Sequence, residues 1–380
     1  TVDRPPKSTS DLHIGCPATL IYDLLRSIKR RTGIRTRIMV LNMQFWRRFN
    51  GVIDRIYINE IECATNHRRK IIFHCVVWGD YLDLFLSYGL PSLLQDGNIP
   101  ALVREGYDLR LDIYAHPQEY EEYAQKYGPC LARLEEYMPI NLTPLSELKG
   151  TWWRGMPLES AWIDQATRCL AEDAVMFWTP PDVIFGNRSV ANAIRMVQGK
   201  NVCLAAANPA MMNRESLPTI EAFAGLKRME REIENVELVD LAFEHGHRCL
   251  LRSFDNEDFN ATADGLSIRK INDNTYSVIG QQPSVFVANF VASDLKYFKT
   301  RGAHRDHTWP RVLFRHNRLK VVGSSDLFFC VESTLKDTRD VNMKSGLLNN
   351  DKFVTKGDRR FHNYVFNSFC CVWRGRESKE

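Results

Sequence analysis

KIIFHCVVWGDYLDLFLSYGLPSLL, Lys70 to Leu94, contains the change of hydrophobic period that decides the fold. From Ile71 to Trp78 the chain is apolar at almost every position, as in a strand covered on both faces. Gly79 and Asp80 interrupt the run. Tyr81, Leu82, Leu84, Phe85, Leu86, Tyr88 and Leu90 then recur at helical spacing as far as Pro91, with Asp80 placed as the N-cap. A central strand, a Gly-Asp loop and a helix make the first unit of an α/β domain.

The alternation continues outward from this unit. Leu109–Tyr114 (LRLDIY) predicts a second strand, His116-Pro117 a break, and Gln118–Tyr127 a helix. Glu159–Glu172 predicts a third helix, leading into Ala174–Phe185 (AVMFWTPPDVIF), a strand-like run broken by Pro180 and Pro181. A helix over Ser189–Gln198, a small-residue strand over Asn201–Ala207 and one charged helical region over Glu215–Val236 follow. Strand-helix order of this kind implies parallel pairing with crossover helices, hence an α/β fold with a mostly parallel central sheet flanked by helices. Beyond about residue 250, Asn274–Gly280, Ser284–Phe290, Leu319–Val322 and Leu327–Glu332 predict strands of a more antiparallel half that completes the site.

The expected organisation is a basic N-terminal extension (1–69), the α/β domain (70–335) and a C-terminal segment (336–380) that docks on the core through Phe361–Trp373. Within the extension, Thr1–Ser10 is polar, Ala18–Arg30 has helical spacing, and Arg37–Asn42 and Gly51–Cys63 are strand-like. No internal repeat or low-complexity tract is present.

The net charge of +4 hides an asymmetry: residues 1–70 carry 14 Lys+Arg against 6 Asp+Glu, and the remainder 36 against 40. The cluster at Arg26, Lys29, Arg30, Arg31, Arg35 and Arg37 is either a solvated face or a patch for an anionic partner such as lipid, nucleic acid or a polyanionic acceptor. No apolar run reaches the roughly 18 residues of a membrane span, so no transmembrane segment is expected and the expected compartment is the cytoplasm. The ten cysteines show no CxxC pair and fit buried free thiols better than a disulfide framework or a cysteine zinc site.

There is no Walker A loop, no GxGxxG after a strand, no GxSxG elbow and no HExxH, which disfavours P-loop ATPases, Rossmann dehydrogenases, α/β-hydrolases and zincins. Four constellations remain. Trp78-Gly79-Asp80-Tyr81 stands at the carboxyl end of the first core strand, where open α/β sheets bind ligands: Gly79 permits close approach, Tyr81 can stack on a base, and helix-start N–H groups favour phosphate. The alternative is a plain strand–helix turn. Pro180 to Asn187 sets Asp182 among apolar residues, as a ligand for a divalent cation or a ribose, or as a turn cap. His245 and His247 in Phe243-Glu244-His245-Gly246-His247 would share a face on a strand and could hold a metal or a diphosphate, and either could equally end a helix. Finally, Asp326 and Glu332, near the His304-Arg305-Asp306-His307 run, are candidates for a general base or a metal ligand, or members of a solvated loop.

The runs VVWGDYLDLFLSYGLPSLLQDGNIPAL (76–102), LRLDIYAHPQEYEEY (109–123), PPDVIFGNRSVANAIRMVQGKNVCLAAANPAMM (180–212) and VVGSSDLFFCVE (321–332) resemble, in this order, poorly characterised bacterial, phage and viral glycosyltransferase-like proteins of the GT-A type. The resemblance covers roughly residues 70–335, and its most specific piece is the Pro-Ser-Leu-Leu helix end followed by the Gly-Asn-Ile-Pro turn. It implies a GT-A-like (Rossmann-like) fold, with a nucleotide-sugar donor across the carboxyl ends of the parallel strands and a divalent cation, Mn²⁺ or Mg²⁺, on the diphosphate. Trp78, Gly79, Asp80 and Tyr81 would then lie near the nucleotide, with Asp182 to Asn187 at the place of an Asp-x-Asp turn. Val183 and Ile184 leave that turn without a second carboxylate. The activity so implied is sugar transfer to a glycan or other hydroxyl acceptor. Asp326 or Glu332 would be the base, and His245 or His247 would stabilise the leaving diphosphate, with or without a metal. Two other classes stay open: a non-catalytic α/β module that binds an anionic partner through its basic N-terminal surface, and a nucleotide- or nucleic-acid-modifying transferase.

Overall fold

A computed structural model of the chain describes residues 69–148, 157–206, 209–251, 254, 266–280, 284–301, 309–334 and 371–376, all within the unit Glu62–Glu380. The expected helix Ala18–Arg30, the strands Arg37–Asn42 and Gly51–Cys63, the Arg26–Arg37 cluster and the His304–His307 run lie outside the described residues. The described strands are, in chain order, β1 (Lys70–Val76), β2 (Asp108–Ala115), β3 (Ile140–Pro144), β4 (Val175–Trp178), β5 (Val183–Phe185), β6 (Cys203–Ala206), β7 (Ala210–Asn213), β8 (Leu266–Asn272), β9 (Thr275–Gly280), β10 (Ser284–Ala288), β11 (Leu319–Val321), β12 (Cys330–Thr334) and β13 (Cys371–Arg374).

Seven of them form one sheet in the order β3-β2-β1-β4-β10-β6-β11, flanked by helices. Every neighbouring pair is parallel except those of β10, which runs against both β4 and β6. The expected α/β class with a mostly parallel central sheet is therefore the observed one. β1 owes its central place to its composition: Ile71, Ile72, Phe73 and Cys75 are fully buried, and alternate residues feed different layers. His74 points toward the helix Pro157–Ala171, where its ring lies 5.7 Å from that of Trp162. Phe73 points the other way, onto Phe177, which in turn meets Phe185 of β5.

On this second face sits a small sheet, β5-β12-β7, with β12 antiparallel to β5 and parallel to β7. Its inner face carries Phe185 against Phe286 of β10. Ile184, Ala210 and Val331 pack in one buried cluster with Leu238, Val239 and Leu241 of the helix Asn235–Glu244. A third, antiparallel sheet is β8-β9-β13, so the C-terminal segment contributes a strand.

Several expectations are corrected. The helix after β1 does not stop at Pro91: Asp80–Leu84 passes through a π-helical turn, Phe85–Gly89, into Leu90–Leu93, where Pro91 stands in the first turn of the restarted α segment, a place proline tolerates. Gly79, not Asp80, is the N-cap. Its φ of +56° is the reason for glycine there, and its N–H donates to Glu119 Oε2 (2.9 Å). The run Ala174–Phe185 is split between two sheets. Glu215–Val236 is not one helical region, because Gly225 at φ +55° ends the helix Leu217–Ala224 and the Glu234/Glu237 capping box starts another at Asn235. The strands after residue 250 do not make one antiparallel half: β10 enters the middle of the main sheet and β11 its edge.

Candidate functional site

Chain order along the main sheet reverses at β1. The crossover from β1 leads to β2 on one side, while β4 pairs on the other, so the carboxyl ends of β1 and β4 form the topological switch point, the place where open α/β sheets put their ligand crevice. Trp78 and Tyr81 follow β1 there and are, among the described residues, two of the few large apolar side chains left exposed, at 44% and 39%. Asp80 beside them is also exposed. After β4, Thr179 returns both N–H and Oγ1 to His74 O (2.9 and 2.8 Å), which turns the chain into Pro180, Pro181 and the half-buried Asp182. Burial, with the charge of Asp182 adding to it, pushes the Cys75 thiol of β1 well above its ordinary pKa.

The small sheet places its own residues on this crevice. Ser333 N–H donates to Asp182 O (2.8 Å), and Glu332 is in register with Val183 on one side and Met211 on the other. Because β5 is antiparallel to β12 and β7, the start of β5 and the ends of β12 and β7 lie on one edge, which gathers Asp182, Glu332, Thr334 and Asn213. Alternation sets Glu332 and Thr334 on the side of Cys330, whose partner Phe185 faces the main sheet. Thr334 Oγ1 donates to Glu332 Oε1 (3.1 Å). Burial first, then the charge of Glu332, raises the Cys330 thiol. Immediately after β7, the Arg214 guanidinium lies over the Tyr81 ring at 5.0 Å, which joins this edge to the end of β1.

The two histidines separate. His245 ends the helix Asn235–Glu244: its N–H bonds Leu241 O (3.0 Å), its carbonyl accepts from Asn213 N–H (3.0 Å), and its Nε2 is 3.9 Å from Glu244 Oε1. It therefore stands on the same edge as Asn213. His247 is fully buried, and its Nδ1 accepts from Cys249 N–H (3.2 Å) at the start of the short helix Arg248–Leu251. That enclosure sets it in packing, away from any diphosphate. At the turn expected to meet the cation, Asp182 is the single carboxylate. Val183 and Ile184 beside Asp182 are buried apolar groups, and among the described residues no three His, Cys, Asp or Glu converge to hold an ion.

Asn187 and Asp326 lie at the opposite edge. Asn187 is buried, and all its amide groups are used: Nδ2 donates to Glu232 Oε2 (2.6 Å) and Glu234 Oε1 (2.8 Å), and Oδ1 accepts from Gly97 N–H (3.0 Å). It braces loops and leaves nothing for a nucleotide. Asp326 precedes β12. Its Oδ2 accepts from Arg374 Nη1 (2.6 Å) and Ser324 Oγ (2.9 Å), which ties β13 to the Ser324–Leu327 turn. The structure thus brings together Trp78, Gly79, Asp80, Tyr81, Asp182, Glu332 and His245, but not Asn187, His247 or Asp326.

The residue missed in the sequence is Arg214. Its only signal was a single Arg two residues after the small apolar run Ala210–Met212, and its importance depends on pairing across β7, which no local pattern shows. The six described cysteines of the core, Cys75, Cys130, Cys169, Cys203, Cys249 and Cys330, are free and buried, and burial pushes Cys130 and Cys169 up to about 12. Among the described residues no helix is long and apolar enough to cross a membrane. No protein-family model matches the chain, and no curated protein matches it significantly in sequence.

Proposed function

We propose that the chain is a glycosyltransferase of the GT-A type, moving a sugar from a nucleotide-sugar donor to an acceptor hydroxyl in glycan or glycoconjugate synthesis. The observation that carries this reading is the pair of exposed aromatics, Trp78 and Tyr81, at the topological switch of a mostly parallel sheet, with Tyr81 joined through Arg214 to the edge of the small sheet. The nucleotide base stacks on one or both rings, and the sugar extends toward the edge that holds Asp182 and Glu332. Glu332, on the face turned to the main sheet, takes the proton of the acceptor hydroxyl as its oxygen attacks the anomeric carbon. Asp182 orients donor hydroxyls from the start of β5.

A donor-hydrolysis and transfer assay against a panel of nucleotide sugars tests this. The wild type should turn over at least one donor, and Glu332→Gln should lower that rate by about 10²- to 10⁴-fold, the usual range for removing a general base. Absence of both turnover and nucleotide-sugar binding in the wild type would sink the reading.

A further inference from the structure

We propose that Arg214 is the diphosphate-binding group of this site and makes it independent of a divalent cation, an inference that rests on the glycosyl-transfer reading. Arg104, Arg110, Arg168, Arg195, Arg318 and Arg374 each hold a carboxylate in an ion pair. No described carboxylate is paired with Arg214. Its Nε is buried and has no hydrogen-bond partner, and its guanidinium is held 5.0 Å from the centre of the Tyr81 ring. A planar cation held by stacking, with no described carboxylate to neutralise it, is prepared for an anion with several oxygens, and the guanidinium fork fits phosphate oxygens in pairs.

Position supports the same partner. Arg214 follows the carboxyl end of β7 and reaches the residue after the β1 turn, so it borders the crevice in which a nucleotide stacked on Tyr81 would carry its phosphates. The neighbouring turn has one carboxylate, Asp182, where a cation on the diphosphate is commonly held by a pair, and among the described residues no three His, Cys, Asp or Glu come together to hold an ion by themselves. In transfer, a bond forms between the acceptor oxygen and the anomeric carbon while the bond from that carbon to the diphosphate oxygen breaks. The electron pair stays on the diphosphate and the acceptor proton goes to Glu332. The nucleoside diphosphate leaves with one more negative charge, and Arg214 is the cation beside it.

Inorganic pyrophosphate, which has no base or sugar, is the direct probe. Titrated into the full chain with EDTA present, it should bind the wild type, bind Arg214→Gln about tenfold or more weakly, and bind Arg214→Lys at an intermediate level, as expected when a forked charged donor is lost or reduced to a point charge. Arg214→Lys keeps an aliphatic stem and a charge, so it serves if Arg214→Gln fails to fold. Equal affinity in wild type and Arg214→Gln would overturn the proposal, as would wild-type binding that appears only with Mn²⁺. Turnover on the same proteins separates the two claims. Arg214-dependent pyrophosphate binding without turnover of any nucleotide sugar upholds the anion site and removes glycosyl transfer. Turnover that requires Mn²⁺ and ignores Arg214→Gln retains transfer and removes the role of Arg214.

Discussion

The two edges of the small sheet β5-β12-β7 are built on opposite terms. At the edge where β5 ends and β12 begins, buried amides are saturated. Gln95 donates to Phe185 O (2.8 Å) and accepts from Ile233 N–H (2.6 Å). Asn98 donates to Ser92 O (2.9 Å) and accepts from Val190 N–H (3.0 Å). Asn235 accepts from Ser189 Oγ (2.8 Å) and donates to Ser325 O (2.7 Å). Gly186 is required by this closeness, since a Cβ there would run into the Asn235 side chain. The other edge, with Asp182, Glu332, Arg214 and His245, meets the exposed Tyr81 through Arg214, whose buried Nε has no hydrogen-bond partner. Saturated polar groups hold a structure together, and unsaturated ones at a crevice are where a ligand gains most. The Gly-Asn-Ile-Pro turn, the most specific piece of the resemblance, belongs to the first edge, so it supports the fold and not the chemistry.

Substitutions at the two edges should therefore fail in different ways. Asn98→Ala strands the Val190 N–H in the interior and takes one of two donors from each of the Ser92 and Gly186 carbonyls, and should lower stability by about 2 kcal/mol in denaturant titrations, with nucleotide affinity of the folded protein unchanged. At the crevice, Tyr81→Ala should weaken nucleoside-diphosphate binding by about tenfold or more in calorimetry, the scale of one lost base–aromatic stack of about 1–3 kcal/mol, and leave stability nearly intact.

A smaller effect is expected at the amino ends of the main strands, where hydrogen bonds from Arg110, and then from Lys70, hold the Glu172 carboxyl down at about 2. A depressed folded-state value means that Glu172 stabilises fully above its unfolded value near 4.5, and that this contribution disappears as the pH falls from there through about 2. Because the pair is partly solvated, about 1 kcal/mol of acid sensitivity should vanish in Glu172→Gln, read from stability measured against pH. The smallest effect is expected of Asp326→Asn, an exposed ion pair away from the crevice: turnover within about twofold of wild type and stability within about 1 kcal/mol. A collapse of turnover in Asp326→Asn would dissolve the distinction between the two edges.

Much of the fold was legible from periodicity. The apolar run before Gly79, the helical spacing after it and its repetition at Leu109 and Ala174 suffice for a mostly parallel sheet. The reversed strand β10 was not legible as part of that sheet, since Ser284–Ala288 has the same apolar character as an edge strand, and only pairing with β4 and β6 distinguishes it. The site was half legible. Asp182 and Asn187 look like one turn in sequence, but β5 lies between them. At about 3.3 Å per extended residue the five steps span roughly 16 Å and carry them to opposite edges. Asp326 and Glu332 are parted in the same way by the approach to β12. His245 and His247 straddle Gly246, whose bridge to Met212 puts one at a helix end and seals the other inside.

Hydrogen exchange of the full chain with and without a saturating nucleoside diphosphate tests the central claim, a nucleotide seated at the carboxyl-end crevice, most directly. Slowed exchange is predicted at residues 78–82, 179–183, 213–216 and 332–334, with no change at 186–189 or 323–327. Protection confined to those last two segments, or no protection anywhere, would contradict it.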